Sequence, residues 1–200
     1  MRRLTLMLSL LVAFALVFAS QAFVIESDVN ASSESSNNFA HGNAPAGLSD
    51  FDSQTYYRLT TVWRGDGMSL DIVNDGQNND QLQLSKTGKY TGQYWKITPA
   101  GNGYYRLSTE WRGEGMSLDV INDGQNNDRL ILAVTTDASG QYWKITPAGK
   151  GAYRLTTSWQ GEGKSLDIVN DGKNNNQLIL AKTANVTGQH WKITAVKKAK

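Results

Sequence analysis

The chain has 200 residues, with 20 lysines and arginines against 18 aspartates and glutamates, and it contains no cysteine. The lack of cysteine excludes disulfides, thiolate metal sites and a cysteine nucleophile. The formal net charge is only +2 and the basic residues are dispersed, so the composition argues against a nucleic-acid-binding protein.

Residues 1–22 have the pattern of a secretory signal peptide. Two arginines precede an almost unbroken apolar run from Leu4 to Phe18, and small residues follow at Ser20 and Ala22. The apolar run of about 15 residues is shorter than the roughly 20 that a membrane-spanning helix needs. The sequence therefore predicts cleavage after Ala22, secretion to the extracellular space and no insertion into the membrane.

Residues 23–55 are rich in Ser, Asn, Ala and Gly and show no apolar periodicity. Such a composition buries too little apolar surface to offset the entropy lost on ordering. We therefore predict a flexible polar linker here, followed by one folded domain over residues 56–200.

The predicted domain consists of three copies of one phrase at a constant interval of 48 residues, without insertion or deletion. The first copy contains WRGDGMSLDIVNDGQNNDQLQL and then GQYWKIT. The three repeats span residues 56–103, 104–151 and 152–199. A fixed period of this length indicates a repeat architecture, in which each repeat is one structural unit.

Each repeat has the pattern of four short strands, since apolar and polar residues alternate between turn signals. In the first repeat these strands are predicted at Tyr56–Thr61, Met68–Val73, Gln81–Lys86 and Gln93–Thr98. The sequence Asn74-Asp75-Gly76 is typical of a turn between the second strand and the third. No stretch of the repeats has helical periodicity, so the predicted fold class is all-β.

Three units of four strands leave few ways to close a structure. A β-propeller needs about four to eight blades, and a linear solenoid needs terminal repeats that differ from the others. The three copies here are equally regular. The prediction is therefore a β-trefoil, a pseudo-threefold barrel and cap built from twelve strands.

Strand alternation also sorts the side chains of the predicted hairpin. Leu70 and Ile72 share the core face, whereas Asp71 and Gln83 lie on the outer face. A carboxylate there offers two acceptor oxygens to a ligand rich in hydroxyl groups. The alternative is that Asp71 accepts backbone N–H groups of the adjoining turn. The same position in the other repeats is occupied by Asp119 and Asp167.

A Gln-x-Trp triplet follows a Ser-Leu-Asp motif once in every repeat. We predict that its tryptophans are core residues and that its glutamines satisfy buried backbone groups. These residues are Gln93, Trp95, Gln141, Trp143, Gln189 and Trp191. The combined pattern over residues 56–199 resembles the ricin B-type lectin family. Members of that family are β-trefoils whose three repeats can each hold a sugar site.

The resemblance implies that Asp71, Asp119 and Asp167 accept hydrogen bonds from sugar hydroxyls. The polar residue of the neighbouring strand is matched only by Gln83. Two other family positions differ in every repeat, which points away from standard galactose recognition. Serine or alanine replaces the stacking aromatic, and glycine replaces the asparagine before the glutamine. The residues at these positions are Ser85, Ala133, Ala181, Gly92, Gly140 and Gly188.

A sugar also needs an aromatic surface for its apolar C–H face. One tryptophan in a glycine-rich turn of each repeat is suited either to cap the barrel or to form such a surface, and a tyrosine is available in the first repeat alone. The candidates are Trp63, Trp111, Trp159 and Tyr90. The first repeat also contains Asp71, Gln83 and the nearby Asn79, so its predicted site is the most complete of the three.

The predicted function is that of a secreted, non-enzymatic lectin that binds glycans or glycoconjugates at up to three sites, without a cofactor. No metal site is expected, because Val73 stands where a calcium loop needs an oxygen ligand. His41 and His190 are the only histidines, so no catalytic base recurs with the repeats. The alternative is an extracellular structural or protein-binding trefoil with decayed sugar sites. A protease-inhibitor trefoil would act through one unusual loop, and the near-identity of the repeats argues against it.

Overall fold

The computed structural model describes residues 51–199. The predicted signal peptide and residues 23–50 of the predicted linker lie outside the described residues. The described chain forms twelve strands, four from each repeat. They are β1 (Thr55–Thr61), β2 (Met68–Ile72), β3 (Leu82–Lys86), β4 (Trp95–Gly101), β5 (Tyr104–Thr109), β6 (Met116–Val120), β7 (Leu130–Val134), β8 (Trp143–Gly149), β9 (Ala152–Thr157), β10 (Lys164–Ile168), β11 (Leu178–Lys182) and β12 (Trp191–Lys198).

Six strands close into a barrel in the order β1, β12, β9, β8, β5 and β4. The remaining strands pair as three antiparallel hairpins, β2–β3, β6–β7 and β10–β11. The first and fourth strands of every repeat thus build the barrel, while the second and third build its cap. This arrangement confirms the predicted β-trefoil. Within residues 51–199, no helix has the length and apolar character that crossing a membrane requires.

The tryptophans of the Gln-x-Trp triplets fill the centre of the barrel and are fully buried. The indole N–H of Trp95 donates to the carbonyl oxygen of Leu70 in the cap hairpin, at 3.0 Å. Trp143 and Trp191 donate to Leu118 and Leu166 in the same way. A buried indole needs such a partner, so each tryptophan joins the barrel to one hairpin of the cap.

The structure differs from the predicted strands just before each triplet tryptophan. The first residue of the triplet does not begin a strand, because it ends a single 3₁₀ turn; the three turns are Thr91–Gln93, Ser139–Gln141 and Thr187–Gln189. At the hairpin of the first repeat, β2 ends at Ile72 and β3 begins at Leu82, so each strand is one residue shorter than predicted. Local alternation cannot reveal these irregular segments, since side-chain contacts from other strands hold them in place.

An aromatic residue before the repeats closes the end of the barrel. The ring of Phe51 meets the rings of Tyr57, Tyr105 and Tyr153 edge-on, with centroid distances of 5.4, 5.5 and 5.9 Å. These tyrosines occupy equivalent positions in the three repeats, so Phe51 lies on the pseudo-threefold axis. Residues 51–55, which the sequence assigned to the linker, therefore belong to the folded domain.

Candidate functional site

Three equivalent depressions lie beside the cap hairpins, and each contains the aspartate of one repeat. Their volumes are about 600 Å³ in the first repeat, 330 Å³ in the second and 400 Å³ in the third. Asp71, Gln83 and Tyr90 line the first depression. Asp119 and Asp167 line the second and the third. The repeats therefore place one carboxylate in each of three separate surface recesses.

The tryptophan in each depression comes from the next repeat around the barrel, so the first repeat supplies the tryptophan of the third depression. Trp111 lines the first depression, Trp159 the second and Trp63 the third. All three are half-buried, so each packs against the core and still presents part of its ring. Main-chain hydrogen bonds of 3.2–3.3 Å fix this arrangement; they join Trp111 to Thr91, Trp159 to Ser139 and Trp63 to Thr187.

A buried glutamine holds each aspartate in one orientation. Oδ1 of Asp71 accepts the backbone N–H of Ile72 at 2.8 Å, and Oδ2 accepts Nε2–H of Gln93 at 3.0 Å. The same glutamine donates to the carbonyl of Lys86 and accepts the N–H of Gly88, both at 2.9 Å. The second and third repeats repeat this set of bonds with Asp119 and Gln141, and with Asp167 and Gln189.

These contacts show which donors the aspartates accept. The backbone N–H that Asp71 accepts belongs to its own strand, not to the adjoining turn. A carboxylate offers about four lone-pair positions, and the hydrogen bonds within residues 51–199 use two of them, one on each oxygen. Each oxygen therefore keeps one lone-pair position beyond these bonds.

The glycine before each triplet leaves room for the aspartate side chain. A Cβ at Gly92 would lie 2.6 Å from Oδ1 of Asp71, closer than real Cβ contacts. Gly140 and Gly188 approach the equivalent aspartates in the same way. A side chain at these glycines would therefore push the aspartate out of its observed orientation.

Of the remaining predicted site residues, Gln83 and Tyr90 line the first depression and Asn79 does not. Gln83 lies directly opposite Asp71 in the β2–β3 pairing, whereas Ile131 and Ile179 occupy this position in the other hairpins. Tyr90 lines the first depression with 61% of its surface exposed.

The side chain of Asn79 instead holds the adjoining loop, where its Oδ1 accepts the N–H of Gly76 at 3.0 Å. Equivalent bonds form in the other two repeats, a recurrence that is visible in the sequence. The structure also adds residues to the depressions that the sequence reasoning did not select. They are Asn74, Lys86 and Lys89 in the first, Asn122 in the second and Asn170 in the third.

The Asn-Asp-Gly segments build turns through their aspartates. In the second repeat, Oδ1 of Asp123 accepts the N–H groups of Gln125 and Asn126, and Oδ2 accepts the side-chain amide of Asn126. Asp75 and Asp171 make the same bonds. The structure over residues 51–199 shows no group of three or more His, Asp or Glu side chains placed to hold a metal ion.

These hydrogen bonds should lower the pKa of the turn aspartates. Hydrogen bonds from the side chain and backbone of Asn126, and then from the backbone of Gln125, lower the pKa of Asp123 from 3.8 to about 2. A lowered folded-state pKa adds stability above the unfolded-state value of 3.8, and this stability is lost as the pH falls towards 2. Carboxyl NMR titration should therefore give Asp123 a pKa near 2, and Asn126→Ala should raise it. A pKa near 3.8 in the unmutated protein would contradict the turn bonding.

The chain resembles a known protein family and solved structures. The model of the ricin-type β-trefoil lectin domain matches residues 55–191. No match was found among curated protein sequences. A designed threefold-symmetric protein, ThreeFoil, is 25% identical with a TM-score of 0.59; the match covers 70% of this chain and 99% of that one.

Two further structures share the fold. SeviL, solved with an asialo-GM1 saccharide, is 19% identical with a TM-score of 0.50, and the match covers 70% of this chain and 95% of SeviL. An exo-β-1,3-galactanase from Clostridium thermocellum is 24% identical with a TM-score of 0.55; the match covers 75% of this chain but only 31% of the enzyme. With the family model matching more than half of its length, the chain belongs to the ricin-type β-trefoil lectin domain family.

Proposed function

We propose that the three depressions bind saccharides and that the protein acts as a secreted, non-enzymatic lectin. Domains of this family bind glycans and are generally not catalytic. One observation carries the proposal: an oriented carboxylate and a half-buried tryptophan share each of three equivalent recesses. SeviL, a neighbour of the same fold, was solved with an asialo-GM1 saccharide.

The carboxylate supplies the polar part of recognition. Because Gln93 and the Ile72 N–H already hold Asp71, a sugar does not have to order this side chain on binding. The two oxygens can accept hydrogens from two neighbouring hydroxyl groups of one sugar ring. Hydrogen bonds to a charged acceptor are stronger than neutral ones, and preorganisation reduces the entropy lost on binding.

The tryptophan supplies the apolar part of recognition. The family's own stacking aromatic is missing, since Ser85, Ala133 and Ala181 stand in its place. Trp111, donated by the second repeat, replaces this surface in the first depression. Each site therefore requires two adjacent repeats, so the complete ring of three repeats is needed to form all three sites.

The sites are shallow, and each should bind a monosaccharide only weakly. A dissociation constant near 1 mM corresponds to about −4 kcal/mol. Three sites on one rigid domain can nevertheless bind a branched or surface-displayed glycan about 10²- to 10⁴-fold more tightly through simultaneous contacts. The proposed targets are therefore glycans presented at high density.

A substitution in the first depression tests the proposal. In Asp71→Asn, an NH₂ group replaces one carboxylate oxygen and faces either the Ile72 N–H or the Gln93 amide, and the sugar loses a charged acceptor. We expect at least tenfold weaker binding at this site, together with a loss of about 1–3 kcal/mol in stability. Binding of the full chain to a glycan array identifies the ligand, and NMR titration with that glycan measures the change.

Asp75→Asn is the matched control, because Asp75 holds the neighbouring turn without lining the depression. This variant should bind the glycan like the unmutated chain. If Asp71→Asn stays folded and binds with unchanged affinity, the carboxylate is not the sugar acceptor.

The second candidate is a protein-binding trefoil, which the apolar lining of the third depression favours. Trp63, Ile179, Ala181 and Val186 line this recess. If the protein has this function, no class of glycan on the array should bind the full chain. Retention that a soluble saccharide abolishes would decide in favour of the lectin.

A further inference from the structure

Two lysines line the first depression without a carboxylate partner. Lys86 and Lys89 are both exposed. In every ion pair within residues 51–199, the acidic side chain pairs with a cation other than Lys86 or Lys89. Asp71, the acidic residue of this depression, is held by Gln93 and the Ile72 N–H. The two ammonium groups are therefore available to a ligand.

The other repeats show that this charge is particular to the first site. The position of Lys89 is occupied by Asp137 in the second repeat and by Asn185 in the third. The position of Lys86 is occupied by Val134 and Lys182. These two positions thus carry two positive charges in the first repeat, one negative charge in the second and one positive charge in the third.

Because Lys89 stands where the second repeat has an acid, the neighbouring arginine also has a different partner. In the second repeat, Arg106 pairs with Asp137 at 3.0 Å. In the first repeat, the equivalent Arg58 donates to the carbonyl of Gly88 at 2.6 Å instead. A backbone carbonyl does not neutralise the guanidinium, so Arg58 keeps its positive charge beside Gly88, the residue before Lys89.

We infer that the first depression selects acidic saccharides, in which a carboxylate or sulfate ester contacts Lys86 and Lys89 while ring hydroxyls bind Asp71. This inference rests on the proposed lectin function and adds the class of glycan. Hydrogen bonds from ammonium to an anionic oxygen are charge-assisted, and Tyr90 and Trp111 frame the same recess. The second depression, with Asp137 nearby, should not share this preference.

A glycan array on which each neutral glycan stands beside its sialylated and sulfated derivative tests the inference. At about 50 mM salt, the full chain should bind acidic forms about tenfold more tightly than neutral ones, and higher salt should reduce this ratio by screening. In Lys86→Gln/Lys89→Gln, the preference should disappear, because acidic glycans lose their charge-assisted contacts. The sialylated and sulfated arms distinguish which anion is preferred.

Lys150→Gln/Lys173→Gln is the control, because it removes the same charge from exposed lysines outside the depression. This variant should keep the acidic preference. An equal loss in both double variants would overturn the inference by showing a non-specific charge effect. Equal binding of the unmutated chain to neutral and acidic glycans would also overturn the inference, while the proposed lectin function would stand. Retention of no glycan would overturn both.

Discussion

Replacing Trp143 with alanine should lower the free energy of unfolding by about 3–5 kcal/mol, the usual effect of removing a buried aromatic side chain. Trp143 has no solvent exposure, and its indole N–H bonds the carbonyl of Leu118 at 2.8 Å. The variant loses both the packing and this partner. Since a domain of this size is stable by only about 5–15 kcal/mol, the melting temperature should fall by about 10 °C. Urea denaturation followed by circular dichroism measures the change.

The matched control is Trp111→Ala in the same repeat. Trp111 is half-buried and lies in the wall of the first depression, so we expect a loss of about 1 kcal/mol. Equal destabilisation by the two substitutions would contradict the separation of core tryptophans from site tryptophans.

Replacing Trp63, Trp111 and Trp159 together should remove glycan binding from a domain that remains folded. Each depression loses its aromatic wall, so every site is weakened at once. The contribution of simultaneous contacts, about 10²- to 10⁴-fold, is then lost as well. Retention on a surface of the glycan identified by the array, measured beside the circular dichroism spectrum, separates lost binding from lost folding.

A single Trp111→Ala variant gives the internal comparison, because it damages the first site alone. We expect it to retain part of the binding through the other two depressions. Full loss of retention from this single change would show that the first depression carries all of the recognition.

The fold could be predicted from the sequence because its period is regular. Three four-strand units with equivalent tryptophans at Trp95, Trp143 and Trp191 leave the closed trefoil as the simplest arrangement. Phe51 was missed because it precedes the repeats and has no counterpart in them. Its role depends on three tyrosines that meet only when the barrel closes.

The candidate site was predicted only in part. Strand alternation places Asp71 and Gln83 on one face, as observed. The bond between Asp71 and Gln93 spans 22 residues and has no local signature. The sequence does not pair any tryptophan with a particular aspartate, whereas the structure places Trp111 of the second repeat beside Asp71 of the first. This exchange between repeats follows from the packing of neighbouring units, which no single repeat encodes.

Retention of the full chain on an immobilised glycan, compared with the Trp63→Ala/Trp111→Ala/Trp159→Ala variant, tests the central claim most directly. The predicted result is that the unmutated chain is retained and is released by soluble glycan, while the triple variant has the same β-sheet spectrum and is not retained. Retention of the folded triple variant at the unmutated level would contradict the assignment of the three depressions as the saccharide-binding sites.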